Sequence, residues 1–139
     1  MALTQPRKEA HRKVRKGKNT GTASRCNYVA FGEWGLQSLD NERVNGRQIE
    51  AARQAITRYV KRGGKIWIRI FPHTPVTKKP LDVKMGGGKG EPQFFAAKVK
   101  AGTVMFEIAD VTEEQAKEAL RLASHKLPVR CKIIKKEEF

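Results

Sequence analysis

Two segments of the chain carry both the capping residues and the apolar repeat of an amphipathic helix. The first predicted helix follows Asn45, which can cap it in a reciprocal pair with Gln48, and the glycine pair 63–64 is expected to end it. The second follows Thr112, which is paired in the same way with Gln115. Each segment has one apolar stripe at helical spacing, and such a stripe must be buried against another element. The fold must therefore offer two helices an apolar support.

Six short apolar or alternating segments predict strands around these helices. They are residues 28–31, 36–39, 65–71, 94–99, 103–108 and 129–134. The order β-β-α-β-loop-β-β-α-β predicts an α+β fold with two helices packed on a mainly antiparallel sheet. We expect segments 94–99 and 103–108 to form a hairpin around Ala101 and Gly102. Segment 65–71 is largely apolar on both faces, which favours an inner strand.

Two further segments lack any apolar period. Residues 1–25 alternate basic side chains with glycine and small polar residues, so they predict a basic arm that becomes ordered on binding a nucleic acid. A tail that only keeps the protein in solution is the alternative. Residues 72–92 are rich in proline, glycine and lysine and predict a long functional loop. Residues 26–139, including this loop, are then expected to form one α/β sandwich domain.

The positive charge is concentrated in the N-terminal two-thirds of the chain. The 139 residues include 29 Lys and Arg against 14 Asp and Glu, for a net charge of +15. Residues 1–25 and 26–99 contribute +7 each, whereas residues 100–139 contribute only +1. Repulsion among so many positive charges disfavours a compact chain unless a polyanion neutralises them. This asymmetry predicts a nucleic acid partner that is met on one side of the molecule.

Several function classes are excluded because their motifs are missing. The longest apolar run, residues 66–71, contains Arg69 and is far shorter than the ~20 residues that span a membrane. Cys26 and Cys131 are isolated from each other and from the histidines, so no metal site is expected. The glycine run 86–88 lacks the spacing of a nucleotide-binding loop. No catalytic grouping is visible, so we expect no enzyme and no cofactor.

These observations favour a scaffold protein embedded in a ribonucleoprotein particle. Two alternatives stay open on the residues alone, namely an RNA-modifying enzyme and another basic nucleic-acid-binding protein such as a DNA-compacting one. The lack of catalytic groups disfavours the enzyme. The long loop and the arm disfavour a compact DNA-binding module, which would place a short recognition helix after a tight turn.

Three motifs, in the same order, resemble the bacterial-type ribosomal protein L sixteen family of the large subunit. They are residues 47–53 (RQIEAAR), 64–72 (GKIWIRIFP) and 84–90 (KMGGGKG). The resemblance extends from about Pro6 to Ile134. Because it begins near Met1, we expect no transit peptide ahead of it.

The resemblance implies a non-catalytic component of the large ribosomal subunit that binds large-subunit rRNA and neighbouring ribosomal proteins. It also implies that the first helix contacts tRNA in the aminoacyl site, with peptidyl-site tRNA as a further partner, and that the glycine-rich loop points toward the peptidyl-transferase region. A cytoplasmic ribosome is expected, with an organellar ribosome as the alternative. Neither membrane association nor a homo-oligomer is expected.

The predicted site residues, most of them implied by the resemblance, fall into two groups. Those expected to bind rRNA lie in the arm, in the third predicted strand and in the loop, and are Arg7, Lys8, Arg12, Lys13, Arg15, Lys16, Lys18, Arg69, Lys78, Lys79, Lys84, Met85 and Lys89. Those expected to contact tRNA lie on the first helix and are Arg47, Arg53 and Arg58. Lys84 stands where the family usually has Arg, and lysine is a point charge without the planar fork of arginine.

Overall fold

Seven strands and two helices are formed by the residues that the structure, a computed structural model, describes: 5–8, 11–61, 63–79 and 86–137. In chain order they are β1 (Trp34–Ser38), β2 (Glu42–Asn45), α1 (Gly46–Val60), β3 (Lys65–Ile68), β4 (Thr74–Lys78), β5 (Glu91–Val99), β6 (Val104–Ala109), α2 (Glu113–Ser124) and β7 (Cys131–Lys135). A four-stranded sheet has the order β3-β6-β1-β7, and a three-stranded sheet has the order β2-β5-β4. All their strand pairs are antiparallel. The predicted α+β class is therefore confirmed.

Both predicted helices begin at the expected residues. The side chain of Asn45 accepts a hydrogen bond from the backbone N–H of Gln48 at 2.9 Å, and Gln48 Oε1 accepts from the N–H of Asn45 at 3.0 Å. Thr112 and Gln115 repeat this exchange at the start of α2, at 3.3 and 3.2 Å. These pairs satisfy N–H groups that the first turn of a helix leaves without a helical partner. The reciprocal caps are confirmed at both helices.

The hydrophobic core contains residues from both helices and from the four-stranded sheet. Leu36, Ile56, Phe106 and Leu120 are fully buried there and come from β1, α1, β6 and α2. The three-stranded sheet adds Val44, Ala97 and Val99 to the same cluster. Both sheets are thus held by one core, which leaves the opposite face of the three-stranded sheet to the N-terminal arm.

The predicted end of α1 is corrected by the structure. The helix ends at Val60, and Lys61 rather than a glycine takes the left-handed conformation, with φ 52°. The N–H of Lys61 bonds to the carbonyl of Thr57, which satisfies one of the last helical acceptors. Gly64 has a different role, because a Cβ there would lie 2.6 Å from the carbonyl oxygen of Ala109. Glycine is required at this position for close packing of the chain against β6.

The first predicted strand, residues 28–31, does not form. The N–H groups of residues 30–32 instead donate to one carboxylate oxygen of Glu107, at 2.8 to 2.9 Å, so they are not available for a strand partner. Strand β1 begins later, at Trp34, and β2 forms at Glu42–Asn45, where no strand was predicted. A buried acid on a distant strand therefore determines the conformation of this segment.

Two predictions about strand neighbours are wrong. Strands β5 and β6 belong to different sheets, so they form no hairpin. At the turn between them, Gly102 donates its N–H to Ser38 and Ser38 donates to Thr103, which ties the turn to β1. Strand β3 is not an inner strand either, because it ends at Ile68 and lies at the edge of its sheet. Ile66 packs against the core, whereas Trp67 stacks on Phe31.

Both ends of the predicted loop 72–92 belong to a β-hairpin. Strand β4 pairs with the first half of β5, with Val76 opposite Phe94 and Lys78 opposite Glu91. Prolines mask this pattern in the sequence, since Pro75 and Pro92 remove backbone donors. Pro75 is tolerated because β4 is an edge strand of its sheet. Only residues 79–90 connect the two strands.

Candidate nucleic-acid interface

The described residues of the N-terminal arm lie along the β4–β5 hairpin. Arg12 forms an ion pair with Glu91 at the start of β5. Lys13 donates from Nζ to the carbonyl of Lys89 at 2.9 Å, and Lys89 in turn donates from Nζ to the carbonyl of Val14. The arm and the hairpin are thus joined by reciprocal bonds from lysine ammonium groups to backbone carbonyls.

The second half of the arm crosses β5. Lys98 donates from Nζ to the carbonyl of Lys16 at 3.2 Å, and the side-chain amide of Asn19 donates to the carbonyl of Val99 at 2.9 Å. Thr22 then forms a single parallel bridge with Ala101. These contacts involve the arm's backbone and one side-chain amide, and most of its cationic side chains remain exposed.

The predicted rRNA-binding cations of the arm form an exposed row. Lys13 is half-buried, whereas the others are exposed, namely Arg7, Lys8, Arg12, Arg15, Lys16 and Lys18. Among the described residues, Arg12 is the one arm cation with an acidic partner. A row of cations with so few acidic partners attracts a polyanion. The arrangement agrees with backbone phosphates as ligands.

The tip of the hairpin is open and glycine-rich. Gly86, Gly87 and Gly88 have φ of 113°, 76° and 96°, a region that other residues adopt only with strain. No atom lies within 4 Å of the Cβ that a side chain would add at any of the three. Lys79 donates to the carbonyl of Gly86 at 2.7 Å across the base of the tip, and Lys89 is exposed. Glycine is needed here for backbone conformation.

Two of the predicted loop residues, Lys84 and Met85, lie outside the part of the chain that the structure describes. Lys78, at the end of β4, is exposed and lines a groove together with Arg47 at the first turn of α1. Phe94 and Gln5 line the same groove. The fold therefore brings a residue predicted to bind tRNA next to one predicted to bind rRNA.

The three arginines of α1 do not form one cluster. Arg47 and Arg58 are both exposed, but at ~1.5 Å of rise per residue they lie about 16 Å apart along the helix axis. Arg58 lines a different groove, with Tyr59 and with His125 at the end of α2. Any partner of this helix that touches both arginines must span nearly its whole length.

Arg53, the third arginine of α1, is held by an acid of the same helix. Its Nη2 lies 2.5 Å from Glu50 Oε1 and its Nε donates to Glu50 Oε2 at 3.1 Å. The two side chains are 22% and 12% exposed. The hydrogen bond from Arg53 also holds the pKa of Glu50 below its usual range. Little of this guanidinium faces solvent.

Arg69, predicted to bind rRNA, is directed into the molecule. It forms an ion pair with Glu107, whose side chain is fully buried, and only 18% of its own side chain is exposed. Its guanidinium carbon lies 4.7 Å from the centre of the Phe31 ring, and Phe31 stacks against Trp67. Burial alone would raise the pKa of Glu107, but hydrogen bonds from Gly32 and Arg69 outweigh burial and lower it. Arg69 therefore has a structural role.

Sequence reasoning missed one cationic pair. Arg43 on β2 and Lys98 on β5 are directly opposite each other in the three-stranded sheet. They line one groove with Arg15, Lys16 and Lys89. The pair was not foreseen because β2 itself was not predicted. The alternation of Arg43 with the apolar Val44 was too short a pattern to signal a strand.

The residues that the structure describes give no support for a metal site or a membrane-spanning helix. Within them, no three His, Cys, Asp or Glu residues are grouped so as to hold a metal ion. Neither α1 nor α2 is long and apolar enough to cross a membrane.

Comparison with known proteins identifies the family. The family described as "Ribosomal protein L16p/L10e" matches residues 6–134. The protein named large ribosomal subunit protein uL16 is 58% identical to this chain in Lysinibacillus sphaericus and 59% identical in Exiguobacterium sibiricum. Each match spans 133 residues, or 96% of this chain and 92% of the relative. The protein of the same name from Spiroplasma citri is 60% identical over 96% of this chain and 97% of its own length. The resemblance seen in the three motifs is confirmed, and the chain belongs to the ribosomal protein L16p/L10e family.

Proposed function

We propose that this chain is a component of the large ribosomal subunit that binds large-subunit rRNA through its arm and its β4–β5 hairpin. As a ribosomal protein it is structural and not an enzyme. Relatives that match it along nearly their whole length are named large ribosomal subunit proteins. The observation that carries the proposal is the exposed row of arm cations, which runs along a glycine-tipped hairpin and has a single acidic partner among the described residues.

Binding to rRNA would depend mainly on phosphate contacts. Exposed Lys and Arg side chains neutralise phosphates and release counterions, so the affinity falls steeply as salt rises. The open tip at residues 86–88 would let the backbone approach folded RNA closely, since no side chain stands in the way. Lys84 and Met85, in the connection before the tip, belong to the same proposed surface.

Contact with tRNA in the aminoacyl site is the finer part of the proposal, with tRNA in the peptidyl site as a further partner. It is supported by the exposed positions of Arg47 and Arg58 on α1. Arg53 would contribute less to direct contact, because its guanidinium is bound to Glu50 and mostly covered. A helix that presents charges at both ends suits a long, curved backbone such as that of tRNA. The ribosome concerned would be a cytoplasmic one, in which neighbouring ribosomal proteins complete the surroundings.

Two experiments test the proposal. The purified chain should bind large subunits that have been stripped of it, and it should be released by rising KCl. Failure to bind such particles would refute the rRNA part. In particles that contain the protein, Arg47→Ala with Arg58→Ala should weaken aminoacyl-site tRNA binding. The matched pair Lys132→Ala with Lys136→Ala removes the same charge from exposed positions in the C-terminal third and should not. Equal tRNA affinity for the two double variants would refute the tRNA part.

A further inference from the structure

We infer that Arg43 and Lys98, together with the arm, form a binding site for a backbone phosphate of rRNA on the outer face of the three-stranded sheet. The inference rests on the proposed function. It assigns RNA binding to two residues that are not among those predicted from the sequence. The site is a groove of about 280 Å³ between residues 14–16 of the arm and the strands β4 and β5.

The position of the pair follows from the strand register. Arg43 is the Cα partner of Lys98, and the next pair along the ladder is Val44 with Ala97. Val44 and Ala97 are buried in the core. Because successive side chains of a strand point to opposite faces, Arg43 and Lys98 point away from the core and toward the arm. Side chains directly opposite in an antiparallel pair have Cβ atoms about 5 Å apart.

The groove contains cations and no carboxylate among its described lining residues. Arg15, Lys16 and Lys89 join the pair there, and the hydroxyl-bearing residues Thr74 and Thr77 line the remaining side. Glu42 precedes Arg43, but its carboxylate accepts the backbone N–H of Arg43 at 3.0 Å and does not line the groove. The groove thus offers two guanidinium groups and three ammonium groups to a ligand.

Arg43 and Lys98 are an unfavourable pair of like charges when no anion is bound. Like charges directly opposite on neighbouring strands destabilise a sheet. Lys98 and Lys89 donate to the carbonyls of Lys16 and Val14, which fixes the arm as one wall of the groove. Neither lysine forms an ion pair with an acid in the described part of the chain. A bound anion would remove the repulsion between the arm and the sheet.

The position of the groove favours a phosphodiester over an acidic peptide as its ligand. An arginine fork and lysine ammonium groups bind phosphate oxygens through charge-assisted hydrogen bonds. The groove lies between the row of arm cations and the hairpin, so one RNA strand that follows the arm would pass over it. We therefore assign RNA backbone as the ligand. The test below distinguishes it from an acidic segment of a neighbouring protein.

The test compares two double variants of the full chain that lose the same charge. Arg43→Gln with Lys98→Gln alters the groove, and Lys126→Gln with Lys132→Gln alters the C-terminal third. Binding to large subunits stripped of this protein is measured between 50 and 300 mM KCl. Loss of one phosphate contact should make the slope of log K against log[KCl] shallower by roughly 0.7 to 0.9 for the groove variant. The control should keep the wild-type slope.

Two further measurements decide what the groove binds. Hydroxyl-radical footprinting should show one stretch of rRNA backbone that loses protection with the groove variant. Thermal unfolding without RNA should give a midpoint equal to or above that of the wild type, because a repulsive pair has been removed. Arg43→Lys, which keeps the charge, should keep the slope. If the double variant fails to fold, the single variant Lys98→Gln, which changes an exposed residue, is compared with the wild type in the same way.

The outcomes separate the inference from the proposed function. If the wild-type chain does not bind stripped subunits, the proposed function fails. If the wild type binds and the groove variant shows the slope and footprint of the control, only the phosphate site is overturned. Weaker binding with an unchanged RNA footprint would show an acidic protein partner, and it would also overturn the inference.

Discussion

Replacement of Glu107 by glutamine should destabilise the protein far more than its conservative chemistry suggests. The carboxylate of Glu107 is fully buried, accepts N–H groups of residues 30–32 through Oε1, and pairs with Arg69 through Oε2. Glutamine keeps the shape and one acceptor, but its NH₂ group would face the guanidinium of Arg69. A nearly buried positive charge would then lack a counter-ion.

The size of the effect follows from the burial of the pair. Removal of one partner from a buried ion pair costs about 3–5 kcal/mol, and the 18% exposure of Arg69 reduces this to about 2–4 kcal/mol. A chain of this length has a free energy of unfolding of roughly 7–20 kcal/mol. Urea unfolding followed by circular dichroism at pH 7 measures the loss directly. If the free energies of unfolding of the wild type and Glu107→Gln differ by less than about 0.5 kcal/mol, the role given to Glu107 is refuted, because that is well under the cost of breaking a buried ion pair.

The pH dependence provides a second check on the same residue. The pKa of Glu107 is lowered in the folded chain, so its ionised form favours folding at pH values above the pKa of the unfolded chain. This contribution is lost as the pH falls through the folded pKa. The stability difference between the wild type and Glu107→Gln should therefore shrink in acid. Glu113→Gln, which breaks an exposed pair with Lys117, should leave stability nearly unchanged at every pH.

Three other predictions follow from local geometry. Gly64→Ala should lower the urea midpoint much more than Gly87→Ala, because both positions have positive φ but only Gly64 has an atom 2.6 Å from the new Cβ. Asn45→Ala should cost about 1 kcal/mol in the same assay by removing a helix cap. Burial raises the pKa of Cys131 to about 11, so alkylation of intact protein at pH 8, followed by mass spectrometry, should leave Cys131 mostly unmodified. Equal losses for the two glycines, no loss for Asn45→Ala, or rapid Cys131 labelling would contradict these accounts.

The helices could be predicted because their signals are local. Asn45 with Gln48, and Thr112 with Gln115, satisfy the first turns from within four residues of sequence. The strands depended on distant partners. Residues 28–31 have strand-like composition, but the carboxylate of a residue more than 70 positions away binds the N–H groups of this segment. No local sequence pattern predicts that a distant carboxylate will bind N–H groups that a strand would otherwise use.

In the candidate site, too, some features follow from local sequence and others depend on residues far apart in the chain. The exposed cations of the arm follow from composition alone, and their role in RNA binding stays a prediction. The ion pair between Arg53 and Glu50 could have been predicted, since Glu50 lies three residues before Arg53 on the helix. The inward direction of Arg69 was not, because it depends on the pairing of β3 with β6 that brings Glu107 close. The pair Arg43 and Lys98 likewise required knowledge of the strand register.

The strand order of the four-stranded sheet has a consequence for synthesis of the protein. Strand β1 lies between β6 and β7, which both come from the last third of the chain. At about 5–20 residues per second, roughly 5 to 20 s pass between the emergence of β1 and that of β7. During that interval the four-stranded sheet is incomplete, so the core that both sheets share cannot close. A nascent chain of this protein therefore exposes its positive charge well before it can fold.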